Sequence, residues 1–408
     1  MKRNWPARAA LAVILLATMT PAGSGLGARP GPAFCLACGS RGLADALANI
    51  VLFAPLGVAL ALGRRGVVRP VVSGALLSLT IEVVQHFVPG RDPNLADVFT
   101  NTVGTAVGVL LVRTSHRWLR PAPQHASRLS RASVALALGL LLGVGPLLAP
   151  TLPETTYYGQ WTARFENMAH YEGRIVAASV GGVPIASERV HDSDALRRHM
   201  AEGAEVRIDA VAGPPPDGLA PIFSIFDDQQ REIFLLGAEG EVVVVRHRTR
   251  AVELRLDQAD LTVPDALHGI EAGDPLRLRF WRSGREYCLE VNDRRSCDLG
   301  FGLEDGWSVI YFDGSFPLPL RGLLGLGWLA GLFVPAGFWL RRRRDAVIAV
   351  GGAVVGLAVI PVMTGLLPTS VAGYLAALAG IGGGVGLCRV VHPRLRGRDR
   401  ARIPSPIS

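Results

Sequence analysis

Nothing in the polar middle of this chain forms a basic patch interleaved with aromatic residues, so its net charge of +8 does not signal a nucleic-acid partner. Cysteine is scarce, with five in 408 residues. Cys35 and Cys38 form a lone C-x-x-C without two further ligands at zinc spacing nearby, which is a weak signal for zinc; no metal site and no cofactor are assigned from the sequence. Ionisable residues are nearly missing from 318–390, where only Arg321, the Arg341–Arg344/Asp345 boundary and Arg389 occur. That argues for scaffold helices and against a conduction path. The glycine-rich run from Gly380 to Gly386 follows no strand and sits inside an apolar stretch, which excludes a phosphate loop.

What remains is mostly apolar sequence. Runs at 7–22, 44–62, 67–88, 96–113, 132–150, 318–340, 345–363 and 370–390 approach the ~20 residues that cross a bilayer. Between 151 and 317 the texture is that of a water-soluble domain, with 28 acidic residues against 17 arginines. The expected fold class is therefore mixed: a polytopic α-helical membrane protein of about eight spans with an extracytoplasmic all-β sandwich. Its divisions read as 1–28, a first span or signal-like segment; 29–115, a membrane core; 116–131, a basic linker; 132–150, a fifth span; 151–317, the sandwich; 318–390, three spans; and 391–408, a basic tail. Of the 25 cations outside the sandwich, 21 fall in alternate short segments. The positive-inside rule then places both termini in the cytoplasm, and the sandwich and the turn at Arg91 outside an inner, cytoplasmic-type membrane.

Polar groups at matching depth mark the candidate site. Asn49, Phe53 and Gly57 recur every four residues on one helical face. Ser78, Glu82 and Gln85 share a face of the next span, and Asp97, Asn101, Gly104 and Gly108 share one on the span after. Asn49 lies ~7 Å and Glu82 ~9 Å below the outer end at the helical rise. Arg91 and Asp92 occupy the turn above. Polar side chains at such depth are costly and point to a site. The expected ligand-binding set is Asn49, Glu82, Gln85, Arg91, Asp92, Asp97 and Asn101. Glu82 and Asp97 are the candidates for acid–base chemistry, and Arg91 is the expected partner of Glu82. Asp97 reads equally well as a helix N-cap, and His86 reads as an interface residue facing elsewhere.

The ordered set Asn49…Phe53-x-Pro55-x-Gly57, Glu82-x-x-Gln85, Arg91, Asp97-x-x-x-Asn101-x-x-Gly104, led by Cys35-x-x-Cys38-Gly39, Asp45 and Asn49, resembles the VanZ-like membrane proteins over about residues 30–115. The resemblance implies a cell-envelope role linked to low-level resistance to the glycopeptide teicoplanin, and names no reaction. On the residues alone, Cys35 and Cys38 read as a structural disulfide, as a redox or metal pair, or as neither.

The 151–317 block reads as β throughout. Residues 223–248 are expected to form two strands and a turn, and Ala251–Leu256 and Pro275–Trp281 alternate as half-buried strands do. An Asn292-Asp293 hairpin loop would set Cys288 opposite Cys297 and permit a cross-strand disulfide. The pattern resembles concanavalin A-like (LamG-type) lectin and glucanase sandwiches. The clustered E-x-D-x-x-E strand motif of some sandwich glucanases is absent, which favours a binding module over a glycosidase. Asp227-Asp228 reads as a solvated turn or a calcium site. Trp161, Tyr171 and Trp281 read as core or as sugar-stacking rings. Three functions are open at this point: an envelope factor whose pocket meets a membrane lipid or lipid-linked glycan while the sandwich takes a carbohydrate, a membrane enzyme using Glu82 or Asp97, and an anchor that displays the sandwich.

Overall fold

The computed structural model describes residues 5–19, 41–62, 66–88, 94–165, 168–311 and 316–400. Before the β domain come α1 (Trp5–Met19), α2 (Gly42–Ala61), α3 (Val68–Gln85), α4 (Leu95–Arg113), the short α5 (Ser115–Leu119) and α6 (Pro123–Leu148). After it come three long helices from Leu318 onward. Seven helices among the described residues are long and apolar enough to cross a membrane, which makes this a multi-pass membrane protein. The first expected span is shorter than the rest, because α1 has 15 residues and rises only ~22 Å. The expected basic linker is itself helical in its second half, since α6 runs unbroken from Pro123. Proline suits that first turn, where its missing N–H costs nothing.

The helices pack in two groups. In the first, α4 lies between α2 and α3. A Cβ on Gly104 or Gly108 would overlap the Ile50 or Ala54 carbonyl of α2, and one on Gly57 would overlap the Thr105 carbonyl of α4. Backbones therefore meet directly, as small residues allow in membranes. Phe53 is fully buried beside Ile14 and Ile81, which ties α1 and α3 to the same core.

The β domain holds β1 (Tyr158–Trp161), β2 (Arg174–Val180), β3 (Val183–Pro184), α7 (Ser193–Glu202), β4 (Val206–Val211), β5 (Ala220–Phe226), β6 (Glu232–Glu239), β7 (Val242–His247), α8 (Arg250–Glu253), β8 (Leu261–Val263), β9 (Pro275–Ser283), β10 (Glu286–Val291), β11 (Arg294–Leu299) and a 3-10 turn at Leu303–Trp307. One sheet has the order β1-β5-β6-β7-β8 and the other β11-β10-β9-β4-β2-β3, all pairs antiparallel. Side chains of both, among them Ile208, Leu278, Phe234 and Val245, share one core.

Three expectations change. Residues 223–248 hold three strands, the end of β5 and all of β6 and β7. Ala251–Leu256 is a helical turn, not a strand, because Ala251 and Leu256 bury themselves against the membrane helices instead of a sheet. The domain is not β throughout, since Asp192 caps α7 through Ala195 N–H at 2.8 Å and Gly203 ends it in the left-handed region. The hairpin at Asn292 does form, with Val291 opposite Arg294 and Asn292 at φ 53°, and Cys288 is bonded to Cys297.

The last helices are α9 (Leu318–Phe338), α10 (Arg343–Thr364) and α11 (Val371–Arg400); α9 and α10 pack on α6, and α11 packs mainly on α9. Here Gly337, Gly380 and Gly384 sit against backbone of the facing helix, which gives the glycine-rich run a packing role. Gly139/Gly143 and Gly327/Gly331 have the four-residue spacing that lets helices approach, but a Cβ on any of them would meet nothing within 4 Å, so they are not the contacts. Asp345 accepts from Ser127 Oγ at 2.5 Å and from Arg131 at 2.8 and 3.0 Å, latching α10 to α6.

The β domain joins both helix groups at one end. The Arg255 carbonyl accepts the Leu43 and Ala44 N–H groups at the open start of α2, at 3.0 and 3.2 Å. Arg41 pairs with buried Asp257 at 2.5 Å. Glu304 accepts from Ser370 N–H and Oγ just before α11.

Candidate functional site

At the β-domain end of the first helix group, the polar residues of α2, α3 and α4 meet through one residue, Asn94. Its side chain accepts the Ala96 N–H at 3.0 Å and caps α4. Its own N–H donates to Glu82 Oε2 at 2.8 Å, and its carbonyl accepts the Asp97 N–H at 3.0 Å. Glu82 and Asp97 therefore converge on the same turn of chain. Asn49 Nδ2 donates to Asp97 Oδ1 at 2.9 Å and lies 3.4 Å from Thr100 Oγ1, which joins α2 to the cluster. The cap of α4 is thus Asn94, and the Asp97 carboxylate is left to face α2. Sequence reading missed Asn94, although an Asn just before an apolar periodic run is itself an N-cap signal.

The other candidates separate. Asn101 donates to Ser78 Oγ at 2.9 Å one turn deeper, where it is 3% exposed and its Oδ1 has no partner among the described residues. Gln85 Nε2 donates to the Thr18 carbonyl of α1 at 2.9 Å, so it braces a neighbouring helix away from the cluster. His86 is exposed, with its ring edge-on to Phe87. Arg91 and Asp92, with the expected Arg91–Glu82 pair, and Cys35 and Cys38 lie outside the described residues. The assembled set is chemically a pair of carboxylates flanked by an amide and a hydroxyl, with Glu82 buried and Asp97 half-buried. Such a set suits hydroxyl or ammonium donors better than anions.

The sandwich offers a second concave surface. A polar groove of about 550 Å³ is lined by Trp161, Arg164, His170, Glu188 and Gln230 among others. Thr162, at φ 44°, and Gln230, at φ 60°, hold left-handed backbone on its wall or rim, which is costly for a β-branched residue. Trp161 donates Nε1–H to the Ile185 carbonyl at 3.1 Å, fixing its ring. Tyr171 is core, 2% exposed. Trp281 already carries the Arg295 guanidinium 4.9 Å from its ring centre. Asp227 is no calcium ligand, because its carboxylate takes the Gln229 and Arg231 N–H groups and the Arg231 and Arg248 guanidiniums.

The fold and these surfaces define a multi-pass membrane protein with an antiparallel β domain seated on one end of its helices. The family model described as VanZ/LLP1 matches residues 14–117, the segment that contains the Asn49–Glu82–Asp97 cluster. No curated protein and no solved structure matches the chain.

Proposed function

We propose that this is a VanZ-like cell-envelope protein in which Asn49, Glu82, Asp97 and, on the sequence reading, Arg91 and Asp92 receive the headgroup of an envelope lipid or lipid-linked glycan. Asn101 and Gln85 support the helices behind it. The observation that carries the reading is the convergence of Glu82, Asp97 and Asn49 on one turn, at the end of the helices where the β domain meets α2. The distribution of arginines favours that end as the outer one. On this reading the sandwich, concanavalin A-like in pattern, meets a glycan through the groove beside Trp161, where a fixed indole and several polar side chains lie together.

The test is teicoplanin tolerance in a sensitive host carrying the wild type, Glu82→Gln or Asp97→Asn. Glu82→Gln keeps the oxygen that accepts the Asn94 N–H and removes the charge. Membrane expression should stay at the wild-type level while tolerance falls to that of the empty vector. Full tolerance in both variants would leave only display of the sandwich. Turnover of a purified lipid-linked substrate that disappears in Glu82→Gln would replace headgroup binding with catalysis.

A further inference from the structure

A cavity of about 300 Å³ opens in the sandwich, apart from the Trp161 groove and the helix cluster. Its walls are aromatic. Phe280 and Tyr287 stack with centroids 5.3 Å apart, and the His247 ring lies 5.2 Å from both Phe234 and Tyr287. Such walls suit an apolar body. The rings are held by the strands themselves, with β6, β7, β9 and β10 each contributing one.

One charged group lines this apolar space, and one polar atom is buried behind its wall. His247 Nε2 is buried and has no hydrogen-bond partner among the described residues, which native structures rarely leave without a reason. Burial and then the nearby Arg282 push the imidazole down to about 4, so it is neutral at physiological pH and adds no charge. Arg282 is the single charged residue among those lining the cavity. Its Nη2 donates to the Ala201 carbonyl at 2.6 Å at the end of α7, and it hydrogen-bonds Tyr287. A guanidinium has five N–H donors, so these bonds do not exhaust it.

The cavity sits near the helices. Pro150 and Leu152, two and four residues after the end of α6, form part of its wall. Arg285, in the β9–β10 turn between Arg282 and Tyr287, donates to the Val362 carbonyl near the end of α10 at 3.3 Å. The mouth therefore lies within a few residues of the ends of two spans.

We infer that this cavity binds an anionic amphiphile: an aliphatic or aromatic body against Phe234, Phe280 and Tyr287, and a carboxylate or phosphate on Arg282. An anion matches the lone cation, and an apolar body matches the rings. A sugar would find too few polar partners here. The inference does not depend on the proposed headgroup site, because no residue is shared between them.

The experiment is calorimetric titration of the full-length protein in phosphatidylcholine nanodiscs with octanoate, octanol and octylammonium. At the site that Ala204→Phe closes, octanoate should bind saturably, octanol about tenfold more weakly, and octylammonium not at all. Ala204→Phe, which projects a ring into the cavity, should abolish octanoate binding. Arg282→Gln should bring octanoate down to the level of octanol. The unfolding temperature of each variant shows that the sandwich is intact. Equal binding of octanoate and octylammonium at that site, or octanoate binding that survives Ala204→Phe, would overturn the inference. Nanodiscs containing phosphatidylglycerol distinguish the source: weaker octanoate binding there identifies a lipid as the competing occupant, and unchanged binding identifies a free solute. Glu82→Gln should leave octanoate affinity unchanged, which separates failure here from failure of the headgroup reading.

Discussion

Asp227→Ala should lower the stability of the sandwich by about 3–5 kcal/mol, the usual cost of removing one partner from a buried ion pair. Asp227 is completely buried and Arg248 is 7% exposed. Asp227 Oδ2 lies 3.2 Å from Arg248 Nη1 and 2.7 Å from Arg231 Nε, while Oδ1 accepts the backbone N–H groups that shape the β5–β6 turn. The variant leaves the Arg248 guanidinium in the interior without its counter-charge and the turn without its acceptor. Arg231 is half-exposed and can return to water, so the penalty rests on Arg248. Denaturation of the detergent-solubilised protein, followed by near-ultraviolet circular dichroism, measures the loss. Replacing both partners, Asp227→Leu with Arg248→Met, should recover much of it. A single variant as stable as the wild type would mean that the pair contributes nothing.

The pH dependence has a definite sign. Burial raises the Asp227 carboxyl, but the hydrogen bonds from Arg231 and Gln229 and the Arg231 charge outweigh it and hold the group below the usual carboxylate range. A carboxylate whose folded value is depressed contributes its full stability above the unfolded value, about 3.9, and loses it as the pH falls through the folded one. Asp227→Asn should therefore flatten the acid limb of the stability profile below about pH 4.

The parts of this fold that were legible in the sequence are those where one face is wet. β9 alternates between buried and exposed residues along most of its length, and its period shows in Pro275–Trp281. β5 is buried at every position, and β6 and β7 are buried along their middles, so their apolar letters run together and three strands read as two. Ala251–Leu256 has the alternation of a strand, but Ala251 and Leu256 serve the helix cluster, a tertiary demand that no local pattern carries. The hairpin at Asn292 was readable because turn chemistry is local. In the candidate site, helical spacing correctly placed Asn49 and Asp97 on faces that meet. It could not separate Gln85 from Glu82, three residues apart on nearly the same face, because the choice depends on where α1 lies. The Gly-x-x-x-Gly pattern was equally ambiguous: Gly104/Gly108 touches a backbone and Gly139/Gly143 touches nothing.

That last contrast yields a test in which one substitution has two outcomes. Gly108→Ala should destabilise the protein by roughly 1–3 kcal/mol, the range for overfilling a packed interface. The same change at Gly139 should cost nothing measurable. A methyl on Gly108 would overlap the Ala54 carbonyl and crowd the Val58 nitrogen, both backbone atoms of α2 that no rotamer change can move. Relief requires α4 to retreat from α2, and the Asn49–Asp97 hydrogen bond lies on that same seam. Gly108→Ala should then weaken teicoplanin tolerance as well as stability, although it removes no polar group. Gly139 is in a helix of comparable hydropathy, so the pair controls for helix propensity, which favours alanine at both positions. Thermal unfolding by size-exclusion chromatography of the detergent extract reads out stability. Equal stability of the two variants would mean that α2 and α4 do not meet through glycine. The polar cluster would then lose the close backbone contact that brings Asn49 to Asp97.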